Sequence, residues 1–274
     1  MKLGLEAGEY TLDLAVELGI RGVPVGMESL VKDGPKQTLR PLQERGLAVC
    51  QIGAFGYNPL STDRAGQAGQ SQALKETIPL AGETGCATIV IGPGNYHPSG
   101  FGAVDPRNFL DSALDQMAEA LAPMLDLAAQ NGVILSFEPY LKGAINSPQR
   151  FLALWERLKR PGNLRANVDP SSLYDYPDLL DPRAKVEEVC NGLAGHYGLV
   201  HLKEIALKEG FHIHAGLAPL GSGATDWTQM FALTAPHLPE DSWAILEHVL
   251  SPEEGRQSYR LLREKAVQAG ITLE

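Results

Sequence analysis

One pattern recurs through the first half of the chain and constrains its fold: an amphipathic helix, a glycine and then a short apolar strand. It appears in the segments VELGIRGVPV, QERGLAVCQI, GETGCATIVI and AAQNGVILSF, whose glycines are Gly19, Gly46, Gly85 and Gly132. Glycine is favoured just after a helix because it adopts the left-handed backbone conformation at little cost. Four such helix-to-strand junctions predict repeated βα units and a parallel sheet.

The number of apolar segments predicts the architecture of that sheet. Strands are expected, with helices between most of them, at 2–6, 22–26, 47–52, 87–92, 133–138, 165–169, 198–203 and 243–247. Eight βα units that close on themselves form a TIM barrel, for which about 250 residues are typical. No linker or break in composition divides the 274 residues. We therefore predict an α/β protein, with one (β/α)8 TIM barrel domain spanning residues 1–274.

Helix starts and long loops complete this outline. Asp105-Pro106, Ser147-Pro148 and Ser251-Pro252 each place a capping side chain before a proline, and Asp226 has similar spacing to Gln229. Three loops are long and rich in small or turn-forming residues, and they cover 53–66, 92–104 and 206–225. Long βα loops on a barrel generally belong to its active-site face.

The charge balance restricts the classes of partner. Acids outnumber bases 33 to 23, which gives a net charge of −10, and no basic run offsets it. Such a surface repels nucleic acid and anionic lipid, so neither is expected as a partner. No apolar stretch approaches the length of a membrane span, and the N-terminus does not resemble a signal peptide. Three widely spaced cysteines without a CxxC pair indicate reduced thiols and a cytoplasmic protein.

The ends of the last four barrel strands share one chemical property. The apolar segment NGVILSFEPY ends on Glu138, and the next three strands carry Asp169, His201 and Glu247 at or near their ends. In a barrel these ends converge on one rim, where three carboxylates would repel one another. A single carboxylate at a strand end is more often explained by a salt bridge or a helix cap, but the set of four predicts one divalent metal ion. Three oxygens and an imidazole suit Mn²⁺, Co²⁺, Zn²⁺ or Mg²⁺.

Five motifs in succession, SFEPY, NVDPSSLY, VHLKE, PLGSGATDW and ILEH, resemble the signatures of the xylose-isomerase-like sugar phosphate isomerase/epimerase superfamily. The resemblance implies that Glu138, Asp169, His201 and Glu247 hold one divalent ion. It also implies a small carbohydrate substrate, with Glu138 and Glu247 on opposite sides of it as acid and base. The implied reaction is isomerisation or epimerisation of a sugar, sugar phosphate or polyol, by proton transfer next to a carbonyl through an enediolate.

The chain departs from the superfamily at two positions. Many members have a histidine three residues after the strand-six aspartate, where this chain has Ser172. In ketose epimerases that histidine helps to hold the substrate. An arginine six residues after the strand-seven histidine is replaced by Leu207, with Lys208 next to it.

Six further residues are candidates for substrate contact: Lys203, Glu204, His97, Gln51, Glu6 and His214. Lys203 and Glu204 follow His201 and are expected at the rim, where a surface ion pair would explain them equally well. Gln51 and Glu6 are expected at the ends of strands three and one. His97 lies in a long loop, in which a histidine often has no specific role.

Two further sites are considered in the loop 206–225. His212 and His214 alternate as in a strand, so they could hold a second metal ion. Gly221 and Gly223 form a turn before a helix, where a phosphate could bind. Trp227 is expected to be a packing residue, as is Trp243.

Several readings remain open beside an isomerase. An inosose-type dehydratase, a hydroxypyruvate-type isomerase and a non-catalytic binder of polyols or keto acids all suit the same barrel. A DNA repair nuclease resembling endonuclease IV is disfavoured by the charge and by missing histidines, since Gly53, Ala54 and Gly92 stand in their places. A homo-oligomer is common among such enzymes.

Overall fold

The computed structural model describes residues 1–274 and contains ten strands and eight α-helices. The strands are β1 Lys2–Leu5, β2 Gly22–Gly26, β3 Ala48–Ala54, β4 Thr88–Ile91, β5 Ile134–Phe137, β6 Leu164–Val168, β7 Tyr197–Leu202, β8 Glu204–Leu207, β9 Ala215–Ala218 and β10 Trp243–Leu246. The helices are α1 Thr11–Leu18, α2 Met27–Gln43, α3 Arg64–Thr84, α4 Asp111–Gln130, α5 Pro148–Arg157, α6 Arg183–Gly192, α7 Trp227–Thr234 and α8 Pro252–Gln268.

Eight of the strands close into a parallel barrel in the order β1-β10-β7-β6-β5-β4-β3-β2, with helices between them. This confirms the predicted (β/α)8 TIM barrel. Each barrel strand lies within two residues of its predicted bounds. The four glycines at the helix-to-strand junctions have φ values of 71°, 68°, 74° and 66°. The recurring glycine therefore marks helix ends for the expected conformational reason.

The internal contacts divide the chain into two compact parts, one formed by residues 1–23, 45–48 and 168–274 and the other by 24–44 and 49–167. In the first part, β10 pairs with β1 and with β7, so that Ile245 is level with both Gly4 and His201. All six residues of β7 are buried. Burial of a whole strand is expected where helices cover the outside of a parallel barrel.

The second part contains β3, β4 and β5 in continuous register. Ala54 is level with Ile91, and Ile91 is level with Phe137. Its helices bury apolar faces; in α4 these residues are Ala113, Leu114, Met117, Leu121, Met124, Leu125 and Ala128. This spacing lies along one face of a helix, and it packs α4 over the sheet.

The loop 206–225 contains an element that the sequence did not indicate. β8 and β9 pair as an antiparallel hairpin in which Ile205 is level with Leu217. His212 and His214 lie in the exposed turn between these strands, so the predicted strand-like alternation of the two histidines is wrong. The residues that do pair as strands, Glu204–Leu207 and Ala215–Ala218, lie before and after this turn. At its tip Phe211 is 98% exposed.

The predicted helix caps are largely confirmed. The side chains of Ser147, Ser251 and Asp226 accept backbone N–H bonds at the starts of α5, α8 and α7. Asp105 instead caps a short 3-10 turn over Pro106–Phe109. α4 starts only at Asp111, because Leu110 has an extended backbone (φ −82°, ψ 151°) that interrupts the helix.

Candidate metal centre

Four side chains at the carboxyl ends of barrel strands meet as the sequence predicted. Glu138, Asp169 and Glu247 directly follow β5, β6 and β10, and His201 is the fifth residue of β7. Each offers one ligand atom, and these atoms all lie within 4.8 Å of one another. Parallel strands place such residues together because their ends share one rim of the barrel.

Asp169 is held by several hydrogen bonds from the residues that follow it. It is 1% exposed and caps the short 3-10 helix Pro170–Leu173. The hydroxyl of Ser171 donates to Oδ1 at 2.6 Å, and the hydroxyl of Ser172 donates to Oδ2 at 2.8 Å. The amide of Ser172 also donates to Oδ1, at 3.3 Å. These bonds fix the orientation of a carboxylate that burial alone would destabilise.

His201 and Glu247 form a direct pair. Nδ1 of the fully buried His201 lies 3.0 Å from Oε1 of Glu247. Burial raises the pKa of Glu247, but the charges of His201 and Lys203 and the hydrogen bond from His201 lower it, so that the pKa is about 2. Glu247 is therefore ionised at neutral pH, as a metal ligand must be.

The donor set fits a divalent ion in number, type and spacing. Oxygen and nitrogen ligands lie about 2.0–2.2 Å from such an ion, so ligands on opposite sides are about 4.4 Å apart. The observed upper limit of 4.8 Å between ligand atoms is close to this value. Three carboxylates with one imidazole also match the ligand chemistry of Mn²⁺, Zn²⁺ and related ions.

Lys203 lies inside this cluster and not in a surface ion pair with its neighbour. Its side chain is 8% exposed, and Nζ lies 2.5 Å from Asp169 Oδ2 and 3.5 Å from Glu247 Oε2. Nζ also donates to Oγ of Ser172 at 2.8 Å. The ammonium group thus contacts two of the four candidate ligands.

Glu204, a candidate for substrate contact, is 1% exposed and has its carboxylate engaged internally. Oε1 accepts from Thr225 Oγ1 at 2.6 Å, and Oε2 accepts from Trp227 Nε1 at 3.0 Å and from the amide of Gly221 at 3.1 Å. The turn in which a phosphate was considered therefore already donates its Gly221 amide to a carboxylate. A phosphate there would meet this charge at close range.

Glu6 ties the end of β1 to the end of β10. Its carboxylate accepts the amide of Gly8 at Oε1 and the amide of His248 at Oε2, both at 3.0 Å. His248 has a left-handed backbone with φ of 57°, and its Nε2 lies 3.7 Å from Glu247 Oε2. Glu6 therefore supports the segment that carries Glu247, and any contact with substrate stays a prediction.

His97 belongs to a loop that is held from within. Its Nδ1 accepts the amide of Ser99 at 3.1 Å. The fully buried Asn95 donates through Nδ2 to the carbonyls of Gly100 and Ala103 at 2.9 and 2.8 Å. Oδ1 of Asn95 accepts from the amide of His97 and from Nδ2 of Asn108. A single asparagine thus bonds to segments on both sides of the loop tip.

The sequence predicted that Gln51 lies at the end of its strand, and this prediction is wrong. β3 continues to Ala54, and the register of β3, β4 and β5 places Gln51 level with the first residues of β4 and β5. It is 3% exposed. Four residues, or about 13 Å at 3.3 Å per residue, separate its level from that of Glu138. The small residues Gly53 and Ala54, taken for a loop, extend the strand instead.

Two contributors were not identified as site residues from the sequence: Ser171, which donates to Asp169, and His248, which follows Glu247. Ser172 was noted only as a departure from the superfamily. The DPSS segment carried a usable signal, because aspartate before proline caps a helical turn and attracts donors from the next residues. His248 had no comparable signal, since its left-handed backbone depends on Glu6, which is distant in sequence.

The surroundings of Gly92 argue against a nuclease that resembles endonuclease IV. At Gly92, where a histidine ligand would be required, a side chain would overlap the ring of Phe101. The backbone of this strand end is therefore covered by an aromatic ring and not open to a metal.

The chain thus combines a closed parallel barrel with four possible metal ligands at the carboxyl ends of its strands. The family model described as xylose isomerase-like TIM barrel matches residues 12–265, and the chain belongs to this family. No helix is both long and apolar enough to cross a membrane.

Solved structures with the same fold show low sequence identity to this chain. A xylose isomerase-like TIM barrel protein from Mycobacterium smegmatis in complex with magnesium is 17% identical, with a TM-score of 0.70 over 94% of this chain and 88% of that chain. The 3-keto-D-glucoside 4-epimerase from E. coli is 15% identical, with a TM-score of 0.70 over 98% and 99%. A probable 3-DHS dehydratase from Bacillus anthracis is 15% identical, with a TM-score of 0.69 over 96% and 98%. No curated protein sequence matches the chain.

Proposed function

We propose that this protein is a divalent-metal-dependent isomerase or epimerase that acts on a small carbohydrate. The observation that carries the proposal is the convergence of Glu138, Asp169, His201 and Glu247 within 4.8 Å. Three carboxylates this close are costly without cations, and Lys203 supplies only one positive charge for the three. The epimerase among the structural neighbours supports the same reaction class.

Each residue has a distinct proposed role. A divalent ion would polarise a carbonyl and an adjacent hydroxyl of the substrate and so acidify the C–H bond of the carbon that carries this hydroxyl. One of Glu138 and Glu247 removes that proton, and the other returns a proton to the resulting enediolate. Return to the opposite face is epimerisation, and return to the neighbouring carbon is isomerisation. Asp169 and His201 act as ligands only.

Dehydration is the second candidate. It shares the proton removal but ends with loss of hydroxide from the next carbon. Ser172 favours it, because the histidine that helps ketose epimerases to hold their substrate is absent. One neighbour is described as a probable 3-DHS dehydratase.

The proposal extends to the domain organisation, the cellular location and the oligomeric state of the protein. We propose that residues 1–274 act as one domain, that the enzyme works in the cytoplasm, and that it forms a homo-oligomer. The net charge of −10 supports a small-molecule substrate over nucleic acid. His97, Glu6, Glu204, Gln51 and His214 stay candidates for substrate contact.

The experiment that tests the proposal is metal analysis of the purified protein by mass spectrometry. We expect about one divalent ion per chain in the wild type, loss of the ion in Asp169→Ala, and retention in Asp33→Ala, which removes an exposed carboxylate far along the sequence. The metal-loaded protein is then incubated with a panel of ketoses, keto-polyols and inososes. A new enone absorbance identifies dehydration. An absence of bound metal, together with no thermal shift on addition of Mn²⁺, Co²⁺, Zn²⁺ or Mg²⁺, refutes the proposal.

A further inference from the structure

The ammonium group of Lys203 lies in direct contact with candidate metal ligands. Nζ lies 2.5 Å from Asp169 Oδ2, 2.8 Å from Ser172 Oγ and 3.5 Å from Glu247 Oε2. The side chain is 8% exposed, so solvent screens these contacts little. Lys203 is thus a cation within the same group of carboxylates that is proposed to bind a metal ion.

Counting formal charges shows what this cation changes. The candidate ligands carry three negative charges, and a divalent ion with a neutral imidazole leaves one of them uncompensated. Lys203 brings the total to zero. Proton removal by Glu138 or Glu247 moves a negative charge from that carboxylate to the substrate, so the total stays at zero with Lys203 and at one negative charge without it. Closely spaced like charges in a buried site are strongly unfavourable, so a nearby cation stabilises the negative charge that develops on the substrate.

The same cation also opposes metal binding. Lys203 and the ion would share Asp169 and Glu247, and two cations on shared carboxylates repel each other. Without the ion, however, Lys203 compensates part of the carboxylate charge. A residue of this kind stabilises the metal-free protein and weakens metal affinity at the same time.

Ser172 explains how the lysine is held. Its hydroxyl donates to Asp169 Oδ2 at 2.8 Å and accepts from Lys203 Nζ at 2.8 Å. One small side chain thus bridges the cation and the ligand. The serine hydroxyl therefore lies in contact with both the ammonium group and Asp169.

We propose that Lys203, held by Ser172, is a permanent cation of the metal centre and a positioning residue for Asp169 and Glu247. Its charge weakens binding of the divalent ion. It also brings the formal charge of the metal-bound site to zero. The proposal rests on the proposed function in that it requires metal binding. Lys203 then acts on the metal ion and does not contact the substrate directly. A metal-bound site without net charge favours an uncharged carbohydrate as substrate.

Calorimetric titration of the metal-free full-length protein with Mn²⁺ tests this role. Lys203→Met keeps much of the side-chain length and removes the charge, and we expect it to bind Mn²⁺ at least about tenfold more tightly than wild type. Thermal unfolding of the metal-free variant should occur at lower temperature, and addition of Mn²⁺ should recover more than the wild-type shift. Turnover should fall although the metal is bound. Lys36→Met, at an exposed position of α2, is the matched control and should change none of these values.

Two further variants keep the test decisive. Lys203→Arg retains the charge and should keep Mn²⁺ affinity near the wild-type value. If metal-free Lys203→Met does not fold, Lys203→Gln replaces it and must show the same tightening. A lysine with a purely structural role predicts the reverse, because disordered ligands bind metal more weakly. Equal or weaker Mn²⁺ binding in the uncharged variants therefore overturns the proposal, whereas an absence of Mn²⁺ binding in the wild type overturns the metal-dependent function itself.

Discussion

The indole nitrogen of Trp227 donates to Oε2 of Glu204 at 3.0 Å, which joins α7 to the first residue of the β8–β9 hairpin. The same carboxylate accepts from Thr225 and from the amide of Gly221. Thr225 in turn contacts the hydroxyl of Tyr174 at 3.2 Å. A buried charge therefore organises the segment after β7, next to Lys203 but separate from the metal ligands.

We predict that Glu204→Ala destabilises the metal-free protein strongly. It leaves three donors without their acceptor, the buried indole N–H of Trp227 and two partly buried donors on Thr225 and Gly221, and the loss of a buried partner costs about 1–3 kcal/mol. The expected decrease in the free energy of unfolding in urea is about 3 kcal/mol or more. Glu209→Ala, in the exposed hairpin turn, should stay within about 0.5 kcal/mol of wild type. A decrease below about 1 kcal/mol for Glu204→Ala would show that water replaces the missing carboxylate.

The contact between Gly92 and Phe101 gives a second prediction. Gly92→Ala forces the aromatic ring to move and should destabilise the protein by about 1–3 kcal/mol, as overpacking does. Gly102→Ala is the matched control, since no atom lies within 4 Å of the added methyl. In a Phe101→Ala background, Gly92→Ala should cost much less. Additive effects in this double-mutant cycle, measured by thermal unfolding, would contradict the contact.

Two glycines at the end of α3 should respond in opposite directions to alanine. Gly82 is helical, and no atom lies within 4 Å of the methyl that alanine would add, so Gly82→Ala should stabilise by up to about 1 kcal/mol. Gly85 has φ of 74°, so Gly85→Ala should destabilise by about 1 kcal/mol. Urea unfolding of the two variants provides the measurement. The same sign for both would mean that the helix end is placed wrongly.

Glu247→Gln tests the proposed chemistry. The substitution keeps the size of the side chain but removes its charge, and we expect turnover to fall by about 10²–10⁴ once a substrate is found. Metal content must be measured alongside, because Glu247 is also a candidate ligand, and the comparison is made at saturating metal. Glu253→Gln, exposed in the first turn of α8, serves as the control. Turnover within about tenfold of wild type would exclude Glu247 as an acid or base.

The sequence predicted the barrel and the four converging residues for the same reason. Apolar segments ending on Glu138, Asp169 and Glu247 are local patterns, and closure of the barrel brings their ends together without further information. Lys203 was expected at the rim, but its contacts with Asp169 and Ser172 depend on side chains more than thirty residues away. The hairpin escaped prediction because its strands are mostly half-buried and one of them, Ala215–Ala218, consists largely of Gly and Ala, which are depleted in strands. Gln51 was misplaced because small residues prolong β3.

Asn95 has a consequence for the kinetics and thermodynamics of ligand capture. Its bonds to Gly100, Ala103 and His97 tie the loop 92–104 together from within. Ordering a mobile loop usually subtracts from the free energy of association. A ligand that contacts His97 would therefore bind to a preorganised loop. Its binding should cost little backbone conformational entropy.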